Sequence, residues 1–146
     1  MLFRSVFITR TASFLPNAPV GNDDIEGVLG QVGGRPSRAR RIILRNNGIC
    51  QRHYAIDPAT GKATHSNAQL TAEAVRLLTG DDFDLSSIDC LATGTSLPDQ
   101  LMPNHGVMVH GELGNPACEV VTTAGICASG IAALKYAWLS ASRLSR

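Results

Sequence analysis

The segment Glu119–Trp138 places the strongest constraint on the fold, because it joins a buried-type strand directly to a long helix. Residues 120–123 are all β-branched, which favours a buried strand. Ala124 and Gly125 follow and allow a sharp turn of the backbone. Apolar residues then recur with helical spacing, at Ile131, Leu134, Trp138 and Ala141. The segment therefore predicts a strand, a tight turn and an amphipathic helix in immediate succession.

Cys127 lies where the predicted strand has ended and the helix begins. At a helix N-terminus, unpaired backbone N–H groups and the positive end of the helix dipole favour an anion. A thiolate is such an anion, and reactive cysteines occur in such surroundings. Most cysteines are small buried residues, but the turn and the small neighbouring side chains favour reactivity here. We predict that Cys127 is a catalytic nucleophile.

The composition suits one globular domain and excludes several function classes. The chain has 146 residues, of which 44% are hydrophobic and 17% charged, and its net charge is +1. This balance gives no electrostatic reason to expect a nucleic acid or an anionic membrane as a partner. The apolar run at the N-terminus is too short and too interrupted to be a signal peptide or a membrane span. The four cysteines include no Cys-x-x-Cys pair, so we expect a reducing, cytoplasmic location.

Helical and strand-like patterns alternate along the rest of the chain. Residues 3–10 alternate loosely between apolar and polar side chains, which predicts a first strand. Helices are predicted at residues 22–29, 66–79 and 103–113, and strands or extended segments at residues 49–56 and 88–94. This order predicts a layered α/β domain with parallel strand pairs. The last helix has no following strand, so we expect the chain to be half of a larger fold.

A basic segment precedes the turn at Asn47-Gly48. Five arginines lie between positions 35 and 45 of the chain. A run of charge is often only the solvated face of a helix. The alternative is a landing surface for an acidic carrier protein or for a thioester that bears phosphate. The residues alone leave both interpretations open.

The histidines do not suggest a metal site. His105 and His110 are five residues apart, whereas the paired ligands of a zinc-binding helix are four apart. We therefore predict no metal. We expect His105 to lie at the surface, or to be buried with its ring nitrogens hydrogen-bonded. A role in the active site is the less favoured alternative.

Four short motifs are distributed over nearly the whole chain. They are Gly48-Ile-x-x-Arg52-His53, Ala92-Thr-Gly-Thr-Ser96, Met102-Pro103 and Thr123-Ala-Gly-Ile-Cys-Ala-Ser-Gly130. Together they resemble the N-terminal half of the β-ketoacyl-acyl-carrier-protein synthase III family. The resemblance implies an α/β, thiolase-like layered half-domain, with a mixed, partly parallel sheet and a buried central helix that starts at the cysteine. Residues 1–146 would form this N-terminal domain, and the C-terminal half of the family fold is absent from the chain.

The resemblance implies an acyltransferase that needs no cofactor. Cys127 would accept an acyl group from a thioester of coenzyme A or of acyl carrier protein, and a malonyl-type carrier-bound substrate would then condense with it. The backbone N–H of Cys127 would contribute to the oxyanion hole, where an N–H stabilises the developing charge. The family's catalytic His and Asn lie in the C-terminal half. The implied partners are a second copy in a homodimer or a complementary C-terminal half.

Three further positions are implied to bind substrate. Met102 precedes the matching proline, where family members often place a residue that lines the partner subunit's acyl pocket. A plain core methionine is an equally good interpretation of Met102. Family members also commonly carry a Trp and an Arg that hold coenzyme A, but this chain has Ile42 and Asn46 there. The usual coenzyme A clamp is therefore absent, which favours a carrier protein or another acyl donor. We assign Arg45 and Asn46 to substrate binding.

Two other functions compete with a catalytic acyltransferase. The chain could be a non-catalytic subunit of a heteromeric ketosynthase, which binds carrier protein or acyl chain and does not need Cys127. Gly125-Ile-Cys-Ala-Ser also resembles a loosened nucleophile elbow of an α/β-hydrolase. That class needs an acid and a His after the nucleophile. The nineteen residues after Cys127 contain no Asp, Glu or His, which disfavours a hydrolase.

Overall fold

A computed structural model of the chain describes residues 5–143, and these residues divide into two compact units. The first unit contains residues 5–14 and 67–143, and the second contains residues 15–66. The elements, in chain order, are β1 (Val20–Gly21), α1 (Ile25–Leu29), α2 (Arg40–Asn47), β2 (Gln51–Arg52), α3 (Asn67–Arg76), β3 (Cys90–Gly94), α4 (His105–Leu113), β4 (Glu119–Thr123) and α5 (Ser129–Arg143).

The first unit is built on a parallel pair of strands with helices on both faces. Strand β3 pairs with β4 in a register that runs from Cys90 opposite Glu119 to Gly94 opposite Thr123. Helix α4 lies between these strands in sequence and connects them, as a parallel pair requires. Helices α3 and α4 pack together on one face of the sheet, and α5 packs on the other. This arrangement is a layered α/β unit.

Small side chains bring the helices close to the sheet. The core on the α4 side consists of Ala68, Ala72, Leu91, Val109 and Leu113. A Cβ atom at Gly106 of α4 would lie 2.6 Å from the Thr122 hydroxyl oxygen, so only glycine allows this approach. The backbone N–H of Gly106 donates a hydrogen bond to that hydroxyl at 2.8 Å. Contact between α4 and β4 therefore depends on the missing side chain of Gly106.

A second close contact joins the end of β3 to the start of α5. A Cβ atom at Gly94 would lie 2.4 Å from the backbone carbonyl oxygen of Ser129. The Thr123 hydroxyl, at the end of β4, donates a hydrogen bond to the same carbonyl at 2.7 Å. The first turn of α5 is thus held against the carboxyl ends of both strands.

The second unit has little regular structure and is held largely by side-chain hydrogen bonds. Strands β1 and β2 pair antiparallel over two residues each. The amide of Asn17 donates to the carbonyl of Tyr54 at 2.7 Å and to the Thr64 hydroxyl at 3.0 Å. Arg52 donates to the side-chain carbonyl of Asn22 at 2.8 Å. Helix α2 ends at Asn47 and is followed by Gly48, whose φ of 68° suits a glycine C-cap.

The structure confirms the predicted α/β class and corrects several details. The expected strand at residues 3–10 is wrong over residues 5–10, which form no strand, and residues 3–4 lie outside the described residues. Loose alternation of apolar and polar residues is weak evidence for a strand, because a strand also needs a neighbouring strand to pair with. In the extended segment 49–56, the paired strand is confined to Gln51–Arg52. Within residues 5–143, the parallel and antiparallel pairs form separate two-stranded sheets, where one mixed sheet was expected.

Boundaries of all four predicted helices also differ from the prediction, and α1 begins at Ile25, three residues later than expected. Helix α3 ends at Arg76, and tighter hydrogen bonds, such as Leu78 N–H to the Val75 carbonyl at 3.0 Å, continue the turn. Helix α4 begins after Pro103, because the Asn104 side chain caps it by accepting from the Val107 N–H at 3.0 Å. Helix α5 begins two residues after Cys127 and exposes much of its outer face, while Ser129, Ala133 and Ser142 are buried.

The close approach at Gly94 makes a matched pair of substitutions informative. Gly94→Ala should lower the free energy of unfolding by about 1–3 kcal/mol, because the added methyl group displaces the backbone of α5. Gly111→Ala is the control, since nothing lies within 4 Å of its Cβ position on α4. It should raise the free energy of unfolding by about 0.5–1 kcal/mol through better helix propensity. Urea unfolding measures both values, and equal effects of the two substitutions would contradict the packing described.

Candidate active site

Cys127 is an exposed residue of the turn that joins β4 to α5. The residues Ile126–Ala128 form a single 3-10 turn, and the Ala128 N–H donates to the Gly125 carbonyl at 3.0 Å. Helix α5 follows at once, so the thiol lies near the N-terminal end of a fifteen-residue helix. A helix N-terminus stabilises a negative charge. The predicted strand-end position of Cys127 is therefore present in the structure.

The other cysteines lie in different surroundings. Burial raises the pKa of the Cys90 thiol, and the negative charge of Glu119 raises it further. Cys90 is consequently held as the neutral thiol, which is a poor nucleophile. Cys118 packs against the hydrophobic core between the sheet and α4. Cys50 is exposed but belongs to the second unit, where its sulfur lies 3.9 Å from the Gly48 carbonyl oxygen.

The loop that follows β3 contacts the turn of Cys127. The Ser96 hydroxyl donates a hydrogen bond to the carbonyl oxygen of Ile126 at 2.8 Å. The loop is anchored on α3, since the Asn67 amide donates to the Thr95 hydroxyl at 3.0 Å and to the Leu97 carbonyl at 2.6 Å. The Asp99 carboxylate accepts from the backbone N–H groups of Asn67 and Ala68 at 2.7 and 2.9 Å. This carboxylate thus caps the N-terminus of α3.

An open cavity of about 840 Å³ lies between this loop and the first turn of α5. It is lined by Asn67, Gly94, Thr95, Ser96, Leu97, Pro98, Asp99 and Ser129. Most of the lining is polar or small, and it belongs to the carboxyl end of the parallel sheet. Ligands of open α/β sheets bind at the carboxyl ends of the strands. The cavity is therefore a candidate substrate-facing surface beside the turn of Cys127.

The middle and second half of α5 are tied to the start of β4. The Tyr136 hydroxyl donates a hydrogen bond to one Glu119 oxygen, and the Ser140 hydroxyl donates to the other at 3.2 Å. The bond from Tyr136 is the main reason that the pKa of the Glu119 carboxyl lies below its usual range. These contacts hold α5 along the sheet, so its N-terminal turn has a fixed direction.

His105 is the largest buried polar side chain near the start of α4 and is only 2% exposed. Its Nε2 lies 3.2 Å from the Thr71 hydroxyl oxygen, and among residues 5–143 its Nδ1 has no hydrogen-bond partner. Burial lowers the pKa of the imidazole, although the negative charge of Asp99 acts in the opposite direction. The ring is therefore held neutral in the packing between α3 and α4.

The remaining predicted site residues fall in both units. Met102 lies in the loop before α4 and is 86% exposed, which is inconsistent with a core methionine in this chain. Arg45 and Asn46 are exposed residues of α2 in the second unit. Within residues 5–143, no three His, Cys, Asp or Glu side chains are grouped so that they could hold a metal ion. No described helix is long and apolar enough to cross a membrane.

Sequence analysis missed the hydroxyl groups that surround the turn. Ser129 is 3% exposed, and its hydroxyl donates to the Ile126 carbonyl at 2.5 Å. Ser96 donates to the same oxygen atom at 2.8 Å. Ser96 follows the end of β3 by two residues and Ser129 is the first residue of α5, but serine is common at such positions, so the sequence carried no distinctive signal for either residue.

Comparisons with known proteins identify what the chain is similar to. No protein-family model matches the chain. A β-ketoacyl-acyl-carrier-protein synthase III of Xanthomonas oryzae pv. oryzae is 27% identical over 130 residues, which is 89% of this chain and 36% of the relative. A synthase III of Oenococcus oeni is 31% identical over 101 residues, or 69% of this chain and 27% of the relative. The chain thus spans about a third of the length of the curated relatives it matches.

Two solved structures share the fold. The tetronic acid condensing enzyme AbyA1 superposes with a TM-score of 0.75 at 26% sequence identity, over 92% of this chain and 40% of that chain. A 3-oxoacyl-(acyl-carrier protein) synthase from Burkholderia xenovorans LB400 gives a TM-score of 0.67 at 23% identity, over 91% of this chain and 36% of that chain. These similarities confirm the resemblance to β-ketoacyl-acyl-carrier-protein synthase III and the thiolase-like α/β fold.

The neutral state of His105 predicts how stability depends on pH. The pKa of His105 is lower in the folded chain than in the unfolded chain. Below about pH 6.5 the unfolded chain therefore binds a proton at this imidazole more readily than the folded chain does. The stability contributed by the neutral ring is fully present above pH 6.5 and is lost as the pH falls toward the folded-state pKa.

Urea unfolding between pH 7.5 and pH 5.5 measures this loss. The substitution His105→Gln should flatten the dependence of the unfolding free energy on pH. The NMR titration of His105 in the unsubstituted chain should have its midpoint below 6.5. A midpoint above that value would contradict the prediction without relying on the variant.

Proposed function

We propose that this chain is the cysteine-bearing part of a condensing acyltransferase of the synthase III type. The observation that carries the proposal is the position of Cys127, which is exposed in the turn between a parallel strand and a long helix. The similarity of 89% of the chain to proteins named β-ketoacyl-acyl-carrier-protein synthase III supports the same function. Cys127 is the acyl acceptor in this proposal.

The first step is transfer of an acyl group to the cysteine. The Cys127 thiolate attacks the carbonyl carbon of an acyl thioester and forms a new carbon–sulfur bond. The bond to the donor sulfur breaks, and the departing thiolate of coenzyme A or of the carrier takes up the proton that Cys127 gave up. Negative charge develops on the carbonyl oxygen in between, and the backbone N–H of Cys127 is suited to stabilise it.

The second step forms a carbon–carbon bond. A malonyl-type thioester loses carbon dioxide, the resulting carbanion attacks the acyl carbon on Cys127, and the Cys127 thiolate leaves. The His and Asn that serve this step in the family would come from a part of the family fold outside these 146 residues. The chain by itself should therefore accept an acyl group without completing condensation.

The substrate-binding surfaces in the proposal are α2 and Met102. Arg40 forms an ion pair with Glu26 at 3.1 Å, whereas Arg41 and Arg45 are exposed on the helix. An exposed basic surface is suited to an acidic carrier protein or to a phosphate group. Asn46 adjoins this surface in sequence. The exposed thioether of Met102 would line the acyl pocket of a second copy in a homodimer.

One observation favours the alternative of a non-catalytic ketosynthase subunit. Ile42 and Asn46 stand where the family commonly has the Trp and Arg that hold coenzyme A. A subunit that only binds carrier protein or an acyl chain would not need that pair. In this alternative, replacement of Cys127 would leave the activity of the assembled enzyme intact.

Intact-mass measurement tests the proposal. Incubation of the chain with acetyl-, hexanoyl- and decanoyl-coenzyme A, and with the same acyl groups on acyl carrier protein, should add one acyl mass with at least one donor. Cys127→Ala should abolish the adduct, because the nucleophile is lost. Cys50→Ala is the matched control, since it removes another exposed thiol, and it should retain the adduct.

Two results would overturn the proposal. One is the absence of any adduct although the chain is folded by circular dichroism, which would favour the non-catalytic subunit. The other is an adduct that survives in Cys127→Ala, which would place acylation at a different side chain.

A further inference from the structure

The residue before the proposed nucleophile has an unusual backbone conformation. Ile126 has a φ of 49°, in the left-handed region, where β-branched residues are rare. Its side chain is 74% exposed, so packing of that side chain does not impose the conformation. Such outliers persist only where surrounding structure holds them. The hydrogen bonds made by the Ile126 peptide group therefore indicate which residues hold the turn in this conformation.

Two hydroxyl groups from different segments hold the Ile126 carbonyl. Ser96, in the loop after β3, donates to the carbonyl oxygen at 2.8 Å. Ser129, the first residue of α5, donates to the same oxygen at 2.5 Å. Ser129 is itself held, because its own carbonyl accepts from the Thr123 hydroxyl and rests against Gly94. We call Ser96 and Ser129 the serine clamp.

The serine clamp also determines the orientation of the Cys127 N–H. The carbonyl of Ile126 and the N–H of Cys127 belong to one peptide group, which is planar. In a trans peptide the two bonds point in opposite directions, so fixing one fixes the other. The Cys127 N–H is the proposed donor to the oxyanion, and such a donor acts only when it is aimed at the atom that gains charge.

We propose that Ser96 and Ser129 are positioning residues that aim the Cys127 N–H at the oxyanion of the acyl-transfer step. Neither hydroxyl touches the reacting atoms in this role, since both act through the Ile126 carbonyl. The inference rests on the proposed function, because an oxyanion forms only if Cys127 receives an acyl group. It goes beyond that function by assigning the residues that orient the donor.

Ser96 is the better position for substitution. Its side chain is exposed, so Ser96→Ala removes the hydrogen bond without emptying a buried site. Ser129 is buried, and its replacement would disturb packing as well. Ser87→Ala is a matched control, because the exposed Ser87 hydroxyl also donates to a backbone carbonyl, that of Asp84, at 2.7 Å. Ser96→Thr restores a hydroxyl and should restore function.

Two reactions of Cys127 separate positioning from a general loss of structure. Acylation by a coenzyme A thioester passes through an oxyanion, whereas alkylation by iodoacetamide does not. In alkylation the thiolate attacks the methylene carbon and iodide leaves. Both adducts are measured by mass on the 146-residue chain, and Cys50 serves as an internal reference for alkylation.

Ser96→Ala should slow acylation of Cys127 by about tenfold. This loss is smaller than the roughly 10²–10³-fold loss that follows removal of a whole oxyanion donor. The smaller effect is expected because Ser129 still donates to the Ile126 carbonyl. Alkylation and the melting temperature should stay close to those of the unsubstituted chain. Ser87→Ala should leave all three unchanged, and Ser96→Thr should recover most of the acylation rate.

The outcomes distinguish this inference from the proposed function. Unchanged acylation in Ser96→Ala would overturn the serine clamp and leave the proposed function intact. Parallel losses of acylation, alkylation and melting temperature would make the role of Ser96 purely structural and would also overturn it. If the unsubstituted chain is not acylated by any donor, the proposed function fails and the clamp has no oxyanion to serve.

Discussion

The contact between Gly94 and the backbone of Ser129 is the constraint on which the candidate site depends. Without a side chain at Gly94, the end of β3 can meet the first turn of α5. The hydroxyl of Thr123 adds a hydrogen bond from β4 to the same carbonyl. Both strand ends therefore fix the start of the helix, and the turn of Cys127 has little freedom between β4 and α5.

This constraint links packing to chemistry through a single peptide group. Because Ser129 is held by the strands, its hydroxyl can hold the Ile126 carbonyl, and Ser96 reaches the same carbonyl from the loop after β3. The loop in turn is anchored on α3 by Asn67 and by the capping carboxylate of Asp99. The proposed oxyanion donor is thus connected to most of the elements of the first unit without any charged residue at the turn itself.

The sequence predicted the elements that have a strong periodic or capping signal. Strand β3 and helices α3 and α4 were predicted as members of the alternating pattern of strands and helices, whereas strand β4 was predicted from its β-branched run and α5 from the helical spacing of its apolar residues. The position of Cys127 between β4 and α5 followed from the same reasoning. The expected strand at residues 3–10 had only loose alternation to support it, and pairing with another strand cannot be read from one segment.

The serine clamp could not be predicted for a different reason. Ser96 and Ser129 are 33 positions apart, and serine occurs throughout loops and helix starts, so neither position stands out in the sequence. Their common target is a carbonyl whose direction depends on the left-handed conformation of Ile126. An isoleucine gives no local signal for that conformation, which arises only from the tertiary contacts around it.

A crystal structure of the chain after incubation with acetyl-, hexanoyl- or decanoyl-coenzyme A would test the assignment of Cys127 most directly. We predict electron density that continues from the Cys127 sulfur into an acyl group. Its carbonyl oxygen should lie about 2.7–3.1 Å from the Cys127 backbone nitrogen. An unmodified Cys127, or an acyl group whose carbonyl oxygen points away from that nitrogen, would contradict the proposed nucleophile or its oxyanion donor.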